Sequence, residues 1–235
     1  VAALPRVQYS IQHPIDTNNV NVNGTINLLK NCKDFKVKRF IYSSSSSVYG
    51  NQKILPLSEY MTPNPMSPYA LQKFIGEEYC KLFNDLYDLD TISLRYFNVF
   101  GPRQNPEGDY ACLIPKFIKL ISENFRPKIN GDGKQTRDFT FVSDVVEANV
   151  LAMNLKNYIL GNFNIGNGKN ISVNEVTQNI LKLSNKKTEP IYGPAVIEPR
   201  NTLADISKAK EEFGWSPKTS FEEGLRETYQ YFVNI

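Results

Sequence analysis

Cysteine is scarce in this chain, and its positions exclude two common kinds of site. Cys32, Cys80 and Cys112 are its three cysteines. They are too widely spaced for the Cys-x-x-Cys pairs of a zinc site and too few for a disulfide framework. We therefore expect reduced, buried thiols in a cytoplasmic protein with no metal site.

A large excess of one charge and a long apolar run are also lacking. Lysine and arginine number 27 against 24 aspartates and glutamates, which gives a formal net charge of +3. Because basic and acidic residues are mixed, no stripe indicates nucleic acid and no cluster indicates a membrane surface. No apolar run approaches the roughly 20 residues that span a bilayer, and no signal-peptide pattern opens the chain. We expect a soluble protein with neither nucleic acid nor a membrane as partner.

The residues that are present suffice for a full hydrophobic core. The 235 residues are 41% hydrophobic, a length that is large for one domain and small for two. The chain opens on Val1-Ala2-Ala3-Leu4, an apolar segment with no methionine or turn before it. This start is typical of the end of a strand, so we expect a further N-terminal portion upstream.

Helix and strand patterns alternate through the first hundred residues. Apolar residues recur at helical spacing over 14–31 and 69–87, and short β-rich segments cover 38–42 and 91–96. This alternation predicts a parallel sheet with crossover helices. Beyond Gly101 the predicted elements are shorter: helices over 114–122, 145–155, 173–183, 204–213 and 221–232, and strands over 128–130, 138–142 and 162–165.

A tyrosine and a lysine at Tyr-x-x-x-Lys spacing begin the second long helix. Residues i and i+4 share one helix face, so Tyr69 and Lys73 point the same way. A nearby ammonium favours the phenolate and moves the tyrosine pKa from about 10 towards neutrality, where a phenol exchanges protons. The serine run Ser43–Ser47 ends the preceding strand, and one hydroxyl can complete a proton path. Because such pairs also occur on ordinary half-buried faces, the spacing alone does not establish catalysis.

Several motifs in a fixed order carry a family resemblance. Besides the serine run and the Tyr69–Lys73 pair, they are Val48-Tyr49-Gly50, the segment LRYFNVFG over 94–101, and Arg137-Asp138-Phe139. Together they resemble the extended short-chain dehydrogenase/reductases that act on nucleotide sugars. The best match is to UDP-hexose 4-epimerases, in particular the UDP-N-acetylglucosamine 4-epimerase branch, and the similarity spans nearly the whole chain.

The resemblance implies a fold and a division into domains. The fold is an α/β, Rossmann-type doubly wound parallel sheet with a smaller C-terminal α/β substrate domain. Residues 1–100 would form the C-terminal part of the NAD-binding domain, and residues 101–235 mainly the UDP-sugar-binding domain, with some segments returning to the first. The sequence lacks the Gly-x-Gly-x-x-Gly turn for the dinucleotide pyrophosphate. The first strands and the adenosine half of the NAD site are therefore expected upstream of Val1.

The resemblance also implies a mechanism in which NAD stays bound. Tyr69, as phenolate, removes the proton of the sugar 4-hydroxyl, directly or through Ser45, while hydride passes to NAD. The 4-keto sugar then rotates and takes the hydride back on its other face. Ser45 is the first candidate for the serine role by match to the motif, and Ser46 is the second. Because neighbouring strand residues point to opposite faces, only alternate serines can face the pocket. Lys73 would hold the nicotinamide ribose and lower the pKa of Tyr69.

Further site residues follow by match to the family motifs. Cofactor contacts are expected at Ala2, Ala3, Leu4, Asn21, Ser43, Ser44, Tyr96 and Val99. Substrate contacts are expected from Ser45, from Asn98 and Arg137 at the diphosphate, from Leu113, Phe117, Ile129 and Asn130 around uracil, and from Arg103. The family's Arg-x-Gly-Asp segment is altered here, since Pro194–Arg200 lacks the Gly-Asp, and Arg200 remains as the candidate second arginine.

Thr202 bears on which sugars can enter. Epimerases confined to non-acetylated sugars carry a bulky tyrosine at the matching position, whereas a small residue leaves room for an N-acetyl group. The resemblance therefore implies that UDP-GlcNAc and UDP-GalNAc are accepted, together with UDP-glucose and UDP-galactose.

Other functions stay open at this point. Sugar-nucleotide 4,6-dehydratases carry an Asp-Glu pair where this chain has Ser45 to Ser47, which disfavours dehydration. A UDP-glucuronate 4-epimerase or decarboxylase keeps the Tyr-x-x-x-Lys pair, and a non-catalytic sugar-nucleotide-binding fragment is a further alternative. The resemblance also implies a homodimer, formed by a four-helix bundle of the helix after Pro14 and the helix that contains Tyr69.

Overall fold

The computed structural model describes residues 3–5, 7–107, 112–196 and 198–234. The predicted strand end at Val1 and the predicted cofactor contact at Ala2 lie outside these residues. The helices are α1 (Val7–Gln12), α2 (Pro14–Asn18), α3 (Gly24–Asp34), α4 (Pro68–Tyr87), α5 (Leu113–Ser122), α6 (Val142–Asn154), α7 (Val173–Ser184), α8 (Ser207–Phe213) and α9 (Phe221–Val233). The strands are β1 (Arg39–Ser45), β2 (Asp90–Tyr96), β3 (Asn98–Phe100), β4 (Lys128–Asn130), β5 (Thr136–Phe141), β6 (Gly161–Ile165), β7 (Asn170–Ser172) and β8 (Ile191–Gly193).

The sheet that carries the candidate site has the order β1-β2-β6, and both pairings are parallel. Helix α4 packs on β1 and β2, and α6 contacts the same two strands. Alternate side chains of β1 meet different helices: Ser44 bonds to Glu77 of α4, while Ser43 meets Tyr96, which bonds to Asn149 of α6. Helices therefore cover both faces, which confirms the predicted doubly wound α/β class.

A second group of strands follows the loop after β2. Strand β5 pairs with β3 in parallel and with β7 in antiparallel orientation, and β4 pairs with β8. Aromatic rings of these strands meet α9 at its first residue: Phe100 and Phe139 lie 5.5 and 5.7 Å, centre to centre, from the ring of Phe221. Each such ring buries a large apolar area, so this core fixes the position of β5, which carries Arg137 and Asp138.

Each predicted helix and strand is present, with bounds that differ by at most three residues, whereas the short helix α1 was not predicted. Three further differences are informative. The helix predicted over 14–31 continues to Asp34 but contains a π-helical turn, Asn19–Asn23. The strand predicted over 38–42 continues to Ser45, because pairing with β2 supplies backbone partners up to Tyr96. Strands β3, β7 and β8, each of three residues, were not predicted, since periodicity is not readable in so short a segment.

Two expectations from composition can be compared with the structure. Within the described residues, no helix is both long enough and apolar enough to cross a membrane. Cys80 is buried, Cys32 is half-buried and Cys112 is exposed. The expectation of buried thiols is thus confirmed for Cys80 and wrong for Cys112, which precedes α5 at a surface position.

Candidate functional site

The candidate site lies where the parallel strands end. Strand β1 ends at Ser45 and β2 at Tyr96, and these two residues are paired in register. Helix α4 begins beside them because the Ser67 hydroxyl caps its first turn and Pro68 has no N–H to satisfy. Tyr69 is therefore in the first turn of the helix. Crevices at the carboxyl ends of strands are the usual ligand positions in open α/β sheets.

The Ser45 side chain lies close enough to Tyr69 to lower the pKa of that phenol. The Tyr69 side chain is 8% exposed, and burial raises the pKa of Tyr69 because a phenolate loses hydration, while the Ser45 hydrogen bond lowers it part of the way back. The Ser45 hydroxyl accepts from the Ser47 N–H at 3.2 Å and from the Ser47 hydroxyl at 2.9 Å. Its own proton is therefore left to donate to Tyr69, the arrangement that stabilises a phenolate.

Lys73 follows one turn later and is also buried, at 5% exposure. Its Nζ donates to the Ser43 carbonyl at 2.6 Å and lies 5.9 Å from the Tyr69 ring centre and 5.1 Å from that of Tyr42. Burial lowers the pKa of Lys73 to about 8, although the Glu77 carboxylate raises it. Burial is the largest influence on the pKa of Tyr69, and the Lys73 ammonium is directed at the Ser43 carbonyl. That Lys73 lowers the pKa of Tyr69 stays a prediction.

The serine run divides between the two faces of β1, as predicted. The Ser43 hydroxyl lies 3.3 Å from the Tyr96 hydroxyl, whereas the Ser44 hydroxyl donates to Glu77 at 2.5 Å. Ser46 begins a 3-10 turn, is half-buried, and follows the serine that bonds to Tyr69. The geometry thus favours Ser45 over Ser46 as the proton partner, and it commits the Ser44 side chain to Glu77.

Asn21, a predicted cofactor contact, is 3% exposed and uses its amide within the protein. Its Oδ1 accepts from the Leu4 N–H at 2.8 Å, and its Nδ2 donates to the Leu4 carbonyl at 3.2 Å and to Gln72 at 2.9 Å. It lies in the π-helical turn, a local irregularity that often marks functional sites. The side chain therefore holds the segment around Leu4 against α4.

The other predicted cofactor contacts surround the same strand ends. Ala3, Leu4, Tyr96 and Val99 are each half-buried. The Tyr96 hydroxyl donates to Asn149 at 2.9 Å, and the Val99 carbonyl accepts from Gln104 at 3.1 Å. Tyr96 shares a hydroxyl contact with Ser43 and pairs with Ser45, so the structure brings it to the Tyr69 cluster.

The two predicted diphosphate arginines lie together, and each contacts a carboxylate. Arg137 Nη2 is 2.9 Å from Glu198 and its Nη1 donates to the Arg200 carbonyl at 3.2 Å. Arg200 Nη2 is 2.8 Å from Asp132, and this hydrogen bond lowers the pKa of Asp132 to about 2. The guanidinium of Arg200 is exposed, whereas that of Arg137 is largely buried.

Thr202 lies next to these arginines. It is 7% exposed, its N–H donates to the Thr136 carbonyl at 3.1 Å, and its hydroxyl accepts from the Asp138 N–H at 3.4 Å. Asn98 is exposed at the start of β3, opposite Phe139 in the register. Arg103 is exposed, with a positive φ of 66°.

The four residues expected around uracil are not equivalent. Phe117 and Ile129 are 4% and 1% exposed and belong to the hydrophobic core. Core neighbours cover both side chains, and the expectation that these residues surround uracil stays a prediction. Leu113 is partly buried against the same core, and Asn130 is exposed. Sequence matching found these positions but could not indicate which would be needed for packing.

Some buried residues that were not among the predicted site residues support the site from within the protein. Glu77 of α4 and Arg95 of β2 form an ion pair with side chains 1% and 2% exposed. Two signals pointed to them: Glu77 stands four residues after Lys73, and Arg95 interrupts an apolar strand pattern. A buried charge needs a partner of opposite sign, so the two positions together indicate an ion pair.

Asp138 is a third residue of this kind, with 0% exposure. Its carboxylate accepts from the backbone N–H groups of Asn167 at 2.6 Å, Gly168 at 2.9 Å and Ala204 at 3.1 Å. Burial raises the pKa of Asp138 to about 6, although these N–H groups lower it. Asp138 thereby ties β5, beside Arg137, to the turn after β6 and to the segment after Thr202.

Comparison with known proteins places these features in a family. A family profile described as GDP-mannose 4,6 dehydratase matches residues 1–228. A putative UDP-glucose 4-epimerase of Methanocaldococcus jannaschii is 41% identical over 235 residues, which cover 99% of this chain and 75% of that protein.

Two solved structures show the same fold at high similarity. The UDP-N-acetylglucosamine 4-epimerase of Methanobrevibacter ruminantium M1, in complex with UDP-N-acetylmuramic acid, has a TM-score of 0.95 and 38% identity over 100% of this chain and 75% of its own. The UDP-glucuronic acid 4-epimerase of Bacillus cereus, in complex with UDP-glucuronic acid and NAD, has a TM-score of 0.93 and 35% identity over 100% of this chain and 74% of its own.

Proposed function

The chain belongs to the extended short-chain dehydrogenase/reductase family of NAD-dependent UDP-sugar epimerases, and from that premise we propose that it inverts carbon 4 of UDP-GlcNAc and UDP-GalNAc, and of UDP-glucose and UDP-galactose. The observation that supports this most is the position of Tyr69 in the first turn of α4, beside the ends of β1 and β2, where Lys73 Nζ donates to the Ser43 carbonyl at 2.6 Å. Lys73 lies one turn further along the same helix face, at the carboxyl ends of β1 and β2.

NAD is the family's cofactor, and the residues around Lys73 fit its nicotinamide ribose. An ammonium has three N–H donors, and one of those of Lys73 goes to the Ser43 carbonyl, so two are left for ribose hydroxyls. When bound, NAD would supply the chemistry of hydride transfer from carbon 4 and back to its opposite face, and in its oxidised form it would add a positive charge. Residues 1–100 would contribute this end of the cofactor site, and residues 101–235 mainly the sugar-nucleotide site.

Tyr69 and Ser45 would move the proton. The proton of the sugar 4-hydroxyl passes to the Tyr69 phenolate, directly or through Ser45, and returns when the 4-keto sugar is reduced. The Ser45 hydrogen bond stabilises the phenolate. Lys73 adds a positive charge as long as the pH is below its pKa of about 8. Burial of Tyr69 keeps the exchanged proton away from bulk water.

Arg137, Arg200 and Asn98 would bind the diphosphate. An arginine fork matches phosphate geometry, so phosphate oxygens would replace Glu198 and Asp132 as partners of the two guanidinium groups. Thr202, beside Arg137 in space, would leave room for an N-acetyl group. Arg103, Leu113 and Asn130 stay candidate contacts to the nucleotide.

A UDP-glucuronate 4-epimerase or decarboxylase is the alternative, because the Bacillus cereus epimerase has a TM-score of 0.93 with this chain. Dehydration is disfavoured, since Ser45–Ser47 supply no Asp-Glu pair for the loss of water. A non-catalytic sugar-nucleotide-binding fragment is the third reading. The enzymatic alternatives predict different reaction products, and the non-catalytic fragment predicts no product.

Incubation of the protein, as its gene encodes it and with NAD, with each UDP-sugar tests the proposal. We expect both pairs of epimers to interconvert, as resolved by NMR of the sugar anomeric protons. Thr202→Tyr should lose UDP-GlcNAc turnover and keep UDP-glucose turnover, whereas the matched control Thr202→Ser should keep both. Carbon dioxide from UDP-glucuronate would establish the decarboxylase. Absence of both turnover and bound NAD would establish that the protein is a non-catalytic sugar-nucleotide-binding protein.

A homodimer is part of the proposal. Ile15, Leu71, Leu82 and Leu86 of α2 and α4 are 75%, 47%, 49% and 66% exposed, and Ile15 and Leu71 line a groove of about 310 Å³ between these helices. Apolar area of this kind is usually covered by a partner. Sedimentation of the wild type should give a dimer, and Leu71→Glu should give a monomer.

The matched control for that experiment is Phe125→Glu, which alters a side chain that is 60% exposed after α5. This variant should stay dimeric. A monomeric wild type at micromolar concentration would contradict the homodimer.

A further inference from the structure

A buried ion pair lies directly behind the Tyr69–Lys73 pair, and the proposed chemistry makes no use of it. Glu77 stands one helical turn after Lys73 on α4, and Arg95 projects from β2. Arg95 Nε and Nη2 donate to the two carboxylate oxygens of Glu77 at 2.9 and 2.7 Å. Both side chains are at most 2% exposed. This is the bidentate geometry of a strong arginine–carboxylate pair.

Stability alone is a poor explanation for this pair. Removing two charges from water is expensive, and apolar residues of the same size are often as stable or more so. The pair is also incompletely satisfied, because Arg95 Nη1 has no hydrogen-bond partner among the described residues. The guanidinium stacks on the Tyr49 ring at 4.8 Å, and Tyr49 bonds to Asn164 at 2.6 Å. The pair thus connects α4 to β2 and, through Tyr49 and Asn164, to the turn after β1 and to β6. The free-energy cost of burying both charges indicates a role other than stability.

Glu77 accepts a third hydrogen bond, from a second partner that connects it to the candidate site. The Ser44 hydroxyl donates to its Oε1 at 2.5 Å. The residues on either side of Ser44 are the ones that meet the proposed proton machinery: the Ser43 carbonyl accepts from Lys73, and the Ser45 hydroxyl bonds to Tyr69. One carboxylate therefore anchors the strand segment that presents both contacts.

Glu77 also supplies the negative charge nearest to Lys73 on its own helix. Residues i and i+4 are neighbours on a helix surface, and Glu77 raises the pKa of Lys73 against the effect of burial. The groups that face Lys73 from its surroundings are Tyr69 and Glu77 on α4, Tyr42 on β1 and, beyond Glu77, Arg95 on β2. Helices α1 and α2 and the π-helical turn present Ser10, Thr17 and Asn21 to α4, none of which titrates near neutral pH.

We propose that Glu77, held by Arg95, is a positioning residue that keeps Lys73 charged and fixes Ser43–Ser45 against α4. It touches neither the sugar nor NAD in this scheme, and it acts through Lys73 and Ser44. The kinetic part of this inference rests on the proposed function, whereas the electrostatic part concerns Lys73 alone and can be measured without turnover.

The double variant Glu77→Leu/Arg95→Met tests the electrostatic part, because it removes both charges together and leaves neither one buried without a partner. Titration of Lys73 is followed by NMR of lysine labelled with ¹³C at Cε, with Lys73→Met to assign the signal. We expect the pKa of Lys73 to fall by about one pH unit relative to wild type, a tenfold loss of proton affinity. The alkaline limb of kcat should move to lower pH by the same amount, while KM changes less.

The matched control uses a second, largely buried ion pair, which joins β1 to β2. Arg39 and Asp90 lie 2.6 Å apart at the other end of β1 and β2. Arg39→Met/Asp90→Leu should leave both the Lys73 titration and the pH profile unchanged. Ser44→Ala, which keeps the Glu77 charge, should lower kcat about tenfold without moving the alkaline limb.

An unchanged Lys73 titration in a folded Glu77→Leu/Arg95→Met protein would overturn the proposal, as would an equal shift in the control pair. A wild-type protein without epimerase activity would remove the proposed function only. The Lys73 titration would then still decide whether Glu77 holds its charge.

Discussion

Replacement of Lys73 by methionine should stabilise the folded protein at neutral pH. The ammonium is 5% exposed, and burial lowers the pKa of Lys73 from 10.5 to about 8. A positive charge is therefore retained in the folded protein at pH 7 against the cost of its lost hydration. Methionine has a similar length and no charge, so the folded state no longer bears that cost.

The magnitude follows from the two pKa values. An interval of about 2.5 pH units corresponds to roughly 3 kcal/mol. Loss of the bond to the Ser43 carbonyl offsets this by about 1 kcal/mol. The net gain at pH 7 is therefore about 2 kcal/mol in the free energy of unfolding.

The gain should disappear as the pH rises. Between pH 8 and 10.5 the unfolded wild-type chain still holds the Lys73 proton while the folded protein has released it, so raising the pH stabilises wild-type protein and not the variant. Urea unfolding at pH 7, 8, 9 and 10, without NAD or UDP-sugar, measures the difference; ligands are omitted because they stabilise the folded state. Other titrating groups are common to both proteins and cancel.

Lys81→Met provides the control, because Lys81 is exposed on the same helix. It should change the free energy of unfolding by no more than about 0.5 kcal/mol at any pH. A Lys73→Met protein that is less stable than wild type at pH 7, or a difference that does not vary with pH, would refute the reasoning.

Three further outcomes are expected. Tyr69→Phe should lower kcat about a thousandfold and leave UDP-sugar binding, measured by calorimetry, intact; undiminished interconversion of epimers would end the proposed mechanism. Ser45→Ala removes the hydrogen bond that lowers the pKa of Tyr69, so the acid limb of kcat should move to higher pH, and an unmoved limb would argue against the Ser45 role. Asp138→Asn replaces one of the two carboxylate oxygens with an NH2 donor, which leaves at least one of three backbone N–H groups without its acceptor, and it should cost about 2 kcal/mol or more. The pKa of Asp138 is about 6 in the folded protein against 3.8 in the unfolded chain, so wild-type protein loses stability as the pH rises from 4 to 6. The difference in free energy of unfolding between wild type and Asp138→Asn, measured by urea unfolding, should therefore shrink over that range.

The placement of Tyr69 and Lys73 on one face of α4 could be predicted from spacing alone, because the helical repeat fixes it. The end of β1 at the serine run could be predicted as well, since β-rich residues precede it. The division of Ser43 and Ser44 between two faces followed from the alternation of a strand.

The roles of individual side chains could not be obtained in this way. Asn21 matched a cofactor position, yet its amide bonds to Leu4 and Gln72, residues 17 and 51 positions away. Phe117 and Ile129 matched a base-binding position, yet they are buried in the core. Motif matching identifies a position in the chain, whereas the neighbours of a side chain are set by packing between distant segments.

The sequence by itself determined the order of helices and strands, the shared face of Tyr69 and Lys73, and the family, because these depend on local periodicity and on the order of motifs. Only the tertiary structure decided the protonation of the site. Burial raises the pKa of Tyr69 and lowers that of Lys73, and Glu77 meets Ser44, 33 residues away in sequence, behind them. The physical reason is that a pKa depends on solvent and charge within a few ångströms in space, and those neighbours come together only when the chain folds.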